Sequence, residues 1–267
     1  MVTNDQQKLH GYVAYHTNGI INPSRERLLH PSLCVLDAIY SIQLKYEVFD
    51  DYQSETGLIQ NYLRYIEQTR NIRVKPTRGT VIEAGQTEDT LRDLQALFNS
   101  VGPDNFGPEV MGDNAGLDGR GFKIPATGDP KSVVVSRFVN YLLDVDPQAS
   151  THAGLEDYAN RVNLDAKPWR DHTLRGIGPK TFRYFCMLAG NNNGVKPDIW
   201  IRRLVTLIIG GGPHSDQYLI DVVVAVARAL ETTPKALDNW LWRHARTHST
   251  RLRQGLFPER ELNDRDL

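Results

Sequence analysis

A glycine hairpin followed directly by a lysine is the part of the sequence best suited to chemistry. The stretch GIGPKTF spans residues 176–182. Proline favours the first position of a helix, so we expect a tight turn that leads into a helix starting at Pro179. Glycines let a ligand approach the backbone, and N–H groups at a helix N-terminus bind phosphate oxygens. Ile177 is expected to anchor the turn in the core. The predicted phosphate-binding residues are Gly176, Ile177, Gly178 and Thr181.

Two charged side chains belong to the same region of the chain. Lys180 is the second residue of the predicted helix, and Asp198 follows eighteen positions later. Between them the sequence predicts a helix and then the turn NNNGVKP, which returns the chain to where the helix began. We therefore expect Lys180 and Asp198 to face each other across a groove beside the phosphate-binding hairpin.

Positive charge is concentrated around the hairpin. Residues 169–203 carry seven Lys and Arg against two Asp, a balance of +5 in a chain with a formal net charge of −1. A second basic run, WRHARTHSTRLR at 242–253, has four arginines, two histidines and no acidic residue. A solvated helix face is the ordinary interpretation of such a run. Overlap of the first cluster with the hairpin favours phosphate contact, with Arg175 and Arg202 as candidates.

The hairpin pattern has a family resemblance. The stretch L-x-G-I-G-x-K-T, followed eighteen residues after its lysine by an aspartate, resembles the helix–hairpin–helix–Gly/Pro–Asp superfamily of base-excision DNA glycosylases. It is most similar to the branch with a catalytic lysine, typified by endonuclease III and 8-oxoguanine glycosylase. The lysine of that branch matches Lys180, and its aspartate matches Asp198. The resemblance covers about residues 165–210, with looser support from 31–46 and the C-terminal third.

This resemblance implies excision of a damaged or modified base from double-stranded DNA. Such enzymes flip the target nucleotide out of the duplex before they act on it. Asp198 would stabilise the positive charge that develops on the sugar, and Lys180 would attack C1′ and form a Schiff base. β-Elimination would then cut the strand 3′ to the lesion. The resemblance also implies a monomer without a cofactor, and it allows a monovalent cation at the hairpin.

Three further residues are candidates for handling the flipped base. The stretch LCVLDAIYSIQLKYE resembles the family helix whose glutamine fills the gap in the duplex, which assigns that role to Gln43. The alternative for Gln43 is an ordinary polar helix position. Trp200 and Trp169 are candidates to stack on the base, although aromatic residues at helical spacing more often belong to the core.

The sequence departs from the family pattern at several positions. Arg175 replaces the usual proline before the hairpin glycine, and Trp200 replaces the histidine often found two residues after the aspartate. The chain has two cysteines, too few for the iron–sulfur cluster of the endonuclease III type. Cys34 and Cys186 are expected to be buried free thiols. The identity of the excised base cannot be transferred from any relative.

Two other functions fit the same residues. In a glycosylase without lyase activity, Asp198 would direct a water molecule and Lys180 would only bind DNA. In a non-catalytic binding module, the hairpin would hold phosphate while Asp198 served only as the N-cap of the next helix.

The fold that must position these residues is predicted to be all-α. Apolar residues recur at helical spacing along most of the chain. We expect two helical domains with the active-site cleft between them. The predicted domains are residues 31–190, which include the helix–hairpin–helix motif, and residues 1–30 plus 191–267.

Local signals predict where several helices begin and where regular structure fails. Pro31 marks one start, Thr87 is the predicted cap of another helix, and Thr233 is the predicted cap before Pro234. The interval 70–85 is expected to hold a short strand or an extended loop. Seven glycines and four prolines within 101–131 exclude a long regular element there.

Composition and termini favour a cytoplasmic protein that makes no contact with a membrane, and the resemblance to DNA glycosylases implies that it associates with the nucleoid. The N-terminus lacks a secretory signal pattern. The longest apolar stretch, LIDVVVAVARAL, contains Asp221 and Arg228 and is too short to span a bilayer. The spacing of His152, His172 and His214 does not indicate a metal site, and none is expected.

Overall fold

The structure, a computed structural model, describes residues 3–21, 30–42, 57–70, 88–112 and 122–256. Within these ranges the regular structure is helical and no β-strand forms, which confirms the predicted all-α class. Lys123 and Pro130 make an isolated antiparallel bridge. The predicted wedge residue Gln43 and nearly all of the interval 70–85 lie outside the described residues.

The chain divides into two compact units. The hairpin unit is Arg25–Asn191, and the terminal unit combines Met1–Ser24 with Asn192–Leu267. Each unit buries an apolar core of its own. The predicted cleft between two domains stays a prediction.

The hairpin unit is built from seven α-helices in its described part. They are α2 (Pro31–Tyr40), α3 (Leu58–Arg70), α4 (Leu91–Val101), α5 (Pro103–Phe106), α6 (Lys131–Val145), α7 (His152–Arg161) and α8 (Pro179–Leu188). All ten residues of α2 are buried, and α6 and α8 pack against this central helix. Aromatic rings join α6 to α8, with the Phe138 and Phe185 centroids 4.7 Å apart. The helix that follows the hairpin is thereby fixed to the core of its unit.

The start of α4 differs from the prediction. Its N-cap is Thr90, not Thr87: the Thr90 side chain accepts the Asp93 N–H, and the Asp93 side chain accepts the Thr90 N–H. Asp89, the residue before this cap, is fully buried. Its carboxylate accepts hydrogen bonds from Tyr62 and Ser32, which places the chain just before Thr90 inside the core. The reciprocal capping box therefore forms three residues later than predicted.

The glycine- and proline-rich interval contains only short helical turns in its described part. Helix α5 continues into a π-helical turn at Gly107–Met111, and residues 113–121 are not described. At the end of the interval Lys131 is fully buried. Its ammonium donates to the carbonyls of Tyr40 at 2.9 Å and Ile42 at 2.5 Å, and so closes the C-terminus of α2.

The terminal unit contains five α-helices in its described part. They are α1 (Asn4–Thr17), α9 (Ile199–Ile209), α10 (Asp216–Ala229), α11 (Pro234–Thr247) and α12 (Ser249–Arg253). Helix α1 packs on α9 and α10, and α11 packs on α9 and α10. The predicted start of α11 is confirmed, since Thr233 caps the helix and Pro234 is its first residue. No helix in the described ranges is long and apolar enough to cross a membrane.

Three histidines and a tyrosine meet where α1 packs near α11. The Tyr12 hydroxyl lies 2.8 Å from His244 Nε2, and the rings of His16 and His248 lie 4.9 and 4.5 Å from the His244 ring. Burial, followed by the charges of His248 and His16, lowers the pKa of His244 to about 4. The neutral imidazole is therefore the form that the folded protein accommodates.

This arrangement predicts that acid weakens the terminal unit. His244 binds a proton below about pH 6.5 when the chain is unfolded, but only near pH 4 when it is folded. The contribution of neutral His244 to the free energy of unfolding is therefore present above pH 6.5 and is lost as the pH falls toward 4. The His244 side chain is half-exposed, and solvent screening reduces the effect. We therefore expect the free energy of unfolding to fall by about 1 kcal/mol between pH 7 and pH 5. Urea unfolding at pH 7 and pH 5 measures this difference in the free energy of unfolding, and the difference should be smaller in His244→Gln. An unchanged difference in that variant would contradict this account.

Candidate active site

The hairpin has the predicted turn, but the element before it is shorter than an α-helix. A 3₁₀ helix, His172–Leu174, precedes the turn. The Ile177 N–H donates to the Leu174 carbonyl at 2.8 Å, and Ile177 is only 5% exposed. Pro179 is the first residue of α8, as predicted. Ile177 therefore anchors the turn in the core of the hairpin unit, in agreement with the sequence.

The two hairpin glycines have different physical roles. Gly176 has a φ of +98°, and a Cβ at this position would lie 2.8 Å from the Val134 side chain. Gly178 has an ordinary φ of −100°, and a Cβ there would meet nothing within 4 Å. The fold therefore requires glycine at 176, whereas at 178 it leaves open space.

Gly178 is the N-cap of α8 and offers no capping side chain. The first N–H to bond within the helix is that of Phe182, which donates to the Gly178 carbonyl at 2.9 Å. The Thr181 N–H precedes it in the first turn, where backbone donors have no acceptor in the helix. The N-terminus of α8 therefore offers the backbone donors of an anion-binding helix end, and the Cβ position of Gly178 is unobstructed.

These differences predict separate effects of two alanine substitutions. Gly176→Ala is expected to lower stability by about 1–3 kcal/mol, because it strains the backbone and displaces Val134. Gly178→Ala is expected to change stability by less than about 1 kcal/mol and yet weaken binding to duplex DNA several-fold. Thermal unfolding and fluorescence anisotropy with a labelled duplex measure the two effects. Unchanged DNA affinity in Gly178→Ala would show that the hairpin does not hold a phosphate.

Lys180 lies partly buried in the first turn of α8 and contacts neighbouring groups of the protein. One turn further along, Arg183 lies over the Trp169 ring at 5.9 Å. Trp169 itself packs against the core of the hairpin unit and lies 6.2 Å from Phe182. This position favours the structural interpretation of Trp169.

Arg175 connects the hairpin to the end of the glycine-rich interval. It is exposed, and its Nε lies 3.3 Å from the Asp129 carboxylate. Arg137 also donates to Asp129 at 2.9 Å. The hydrogen bond from Arg137 is the main cause of the lowered pKa of Asp129, with smaller contributions from the charges of Arg137 and Arg175. The hairpin is thus tied to two other segments by one carboxylate shared between two arginines.

A surface groove of about 470 Å³ adjoins the same side of the hairpin. Its lining combines both signs of charge, since Arg137 and Arg175 face Asp144 and Asp171. Lys180 is not among the lining residues. The groove is therefore an extension of the hairpin surface and not a pocket built around the predicted nucleophile.

Asp198 is the N-cap of α9, as the sequence allows. Its Oδ1 accepts the backbone N–H groups of Trp200 at 2.8 Å and Ile201 at 2.9 Å. Both capping bonds use the same oxygen, so Oδ2 takes no part in the cap. The side chain is partly exposed. Asp198 thus combines a fixed orientation with a second carboxylate oxygen that the helix does not use.

Lys180 belongs to the hairpin unit and Asp198 to the terminal unit. The contacts described above fix each residue only within its own unit. Their predicted position on opposite sides of a groove stays a prediction.

Arg202, a predicted phosphate contact, is engaged within the terminal unit. Its guanidinium donates to the Asp216 carboxylate and, at 2.9 Å, to the His214 carbonyl. The ion pair compensates its charge, and no local pattern in the sequence predicts this pairing. Arg202 is therefore a weaker candidate for binding phosphate than its place in the basic cluster indicated.

Trp200 lies beside two arginines. The guanidinium carbons of Arg203 and Arg253 lie 5.6 and 5.4 Å from the centroid of its ring. Both arginines are exposed, and neither pairs with a carboxylate in the described part of the chain. Arg253 was not singled out by its position in the sequence, because it reaches Trp200 only through the packing of α12 on α9.

One buried acid was also missed. Asp238 on α11 is 4% exposed and accepts the Lys196 N–H at 2.8 Å. The available signal was its register: Asp238 shares a helix face with Leu241 and Ala245, which predicts burial of a charged residue. The described residues contain no group of three or more side chains that could hold a metal ion.

The chain matches the family described as a domain of unknown function (DUF8548) over residues 8–246, and it belongs to that family. Neither the curated proteins nor the solved structures give a match to the chain.

Proposed function

We propose that the protein is a DNA glycosylase with AP-lyase activity, acting on a damaged or modified base in double-stranded DNA. The Lys180 amine attacks C1′ and displaces the base, and opening of the sugar ring gives a Schiff base. Loss of a proton from C2′ then breaks the C3′–O bond and cuts the strand on the 3′ side. No cofactor is needed for these steps.

The geometry of Asp198 is the observation that carries this proposal. Departure of a base leaves positive charge on the sugar, and a fixed carboxylate beside it lowers the energy of that state. Two backbone donors hold Oδ1 of Asp198, while Oδ2 takes no part in the cap. Because its orientation is set before the substrate binds, little reorganisation is required when charge develops.

Features in both units support contact with the DNA backbone. At the hairpin, the N-terminus of α8 has no capping side chain, and a Cβ at Gly178 would meet nothing within 4 Å. In the terminal unit, Arg203 and Arg253 place two positive charges at the Trp200 ring, two residues after Asp198. Such contacts position a duplex without reading its sequence.

The experiment uses a duplex with one abasic site, so that the identity of the base does not matter. The native protein and the duplex are mixed with borohydride and separated on a denaturing gel. A covalent protein–DNA band is the expected result, because borohydride reduces the Schiff base to a stable amine. Tight binding without such a band would refute the lyase step. Duplexes that each carry one oxidised, alkylated or otherwise modified base then test base release.

A non-catalytic DNA-binding module is the second candidate function. It is favoured by the use of Asp198 Oδ1 as the N-cap of α9 and by the absence of Lys180 from the lining of the groove next to the hairpin. Such a module would bind abasic DNA in a salt-dependent manner but would neither form an adduct nor release any base. A glycosylase without lyase activity would release a base and leave the strand uncut.

A further inference from the structure

Asp238 is a buried acid for which the chemistry proposed above has no direct use. It lies in the second turn of α11, 4% exposed, and its Oδ1 accepts the Lys196 N–H at 2.8 Å. Lys196 is two residues before Asp198 in the chain. The contact therefore joins the interior of the terminal unit to the turn that carries Asp198.

A carboxyl group in this position is costly for stability. Burial raises the pKa of Asp238 well above its ordinary value, and the charge of Asp198 raises it further, whereas the Lys196 N–H and the Lys196 charge lower it. An apolar side chain of similar size would avoid most of this desolvation cost. The hydrogen bond from the Lys196 N–H offsets part of this cost, and it is the contact through which Asp238 acts on the chain.

The segment from Asn192 to Asp198 is held by α11 at two points. The Lys235 N–H donates to the Asn192 carbonyl at 3.1 Å, and Asp238 accepts the Lys196 N–H. Within this segment, the Asp198 N–H donates a hydrogen bond to the Lys196 carbonyl at 2.6 Å. Pro197 fixes its own φ, so little freedom remains in this turn once the Lys196 amide is held.

We propose that Asp238 is a positioning residue: its carboxyl group fixes the Lys196–Asp198 turn and thereby sets the orientation of the Asp198 carboxylate toward the reacting sugar. The functional part of this inference rests on the glycosylase/lyase activity proposed above. The structural part, fixation of the turn, does not depend on that activity.

The structural part is tested by hydrogen exchange of the backbone amides. Asp238→Ala removes the acceptor, so exchange at Lys196 is expected to rise at least about tenfold, with little change in α10. Asp238→Asn keeps an oxygen acceptor and should retain most of the protection. Asp221→Ala, which alters an exposed acid of the same unit, is the matched control. If Asp238→Ala does not fold, Asp238→Leu removes the acceptor while it keeps the branching of the side chain at Cγ.

The functional part is tested by the rate of adduct formation with the abasic duplex and borohydride. We expect the Asp238→Ala rate to fall about tenfold or more, with DNA affinity within about threefold of native. Asp238→Asn should restore the rate to within a few-fold of native. The Asp198→Asn/Asp238→Ala double variant should react no more slowly than Asp198→Asn alone, because Asp238 acts through Asp198.

The outcomes separate this inference from the proposed function. Unchanged exchange at Lys196 in Asp238→Ala would overturn the inference. Faster exchange with a native rate would overturn the positioning role and leave a structural contact. If the native protein forms no adduct at all, the proposed function fails, and exchange alone decides whether Asp238 fixes the turn.

Discussion

Replacing Lys180 by glutamine is expected to abolish the borohydride-trapped adduct with abasic DNA. The amide of glutamine cannot attack C1′, so no Schiff base forms and the strand stays intact. The loss should exceed about 10³-fold, the size expected when a covalent nucleophile is removed. Lys180 is partly buried in the first turn of α8, where glutamine has a comparable length and helix propensity. We therefore expect the variant to fold normally.

The matched control is Lys123→Gln, which removes an exposed lysine from the same unit. Its adduct should form at the native rate. Binding of each variant to abasic duplex, measured by fluorescence anisotropy, separates loss of chemistry from loss of DNA affinity. An undiminished adduct in Lys180→Gln would assign the covalent chemistry to another amine and refute the role given to Lys180.

Replacing Asp198 by asparagine is expected to slow the reaction about 10²–10³-fold while the fold is kept. The amide oxygen of asparagine can accept the Trp200 and Ile201 N–H groups, so the cap of α9 persists. What is lost is the negative charge that stabilises the sugar cation and the Schiff-base iminium. Single-turnover rates of adduct formation with the abasic duplex measure the loss at the Schiff-base step, and rates of base release from a duplex with a modified base measure the loss at base departure.

Comparison with Asp198→Ala separates the two roles of this carboxylate. Alanine removes the cap as well as the charge, so it should also lower stability by about 1 kcal/mol. Thermal unfolding of both variants provides that comparison. If Asp198→Asn both forms the adduct and releases a modified base at the native rates, capping is the whole function of Asp198, and the non-catalytic module becomes the better account.

Local signals predicted the part of the site that depends on neighbouring residues. Proline at the first helical position correctly placed the starts of α2 and α8. Asp198 before an apolar run correctly indicated a cap, and the apolar residue between two glycines correctly indicated the buried Ile177. These features follow from residues within one turn of each other. No tertiary contact was required to predict them.

The sequence failed where distant contacts decide the outcome. Thr87 and Thr90 are both acceptable N-caps by residue type. The structure uses Thr90, directly after Asp89, which is buried and accepts hydrogen bonds from Ser32 and Tyr62. The sequence indicated a free cation at Arg202, but Arg202 pairs with Asp216 fourteen residues away. The contact between Asp238 and Lys196 spans 42 positions. Each of these contacts joins residues that are far apart in the chain, so no local periodicity or spacing in the sequence predicts it.

The most direct test of the central claim is to locate the covalent bond. The native protein is trapped on abasic duplex with borohydride, digested, and the modified peptide is sequenced by mass spectrometry. A reduced sugar fragment on Lys180 is the predicted result, and it would establish this residue as the Schiff-base nucleophile. A fragment on any other amine, or a native protein that binds the duplex and yields no modified peptide, would contradict the account.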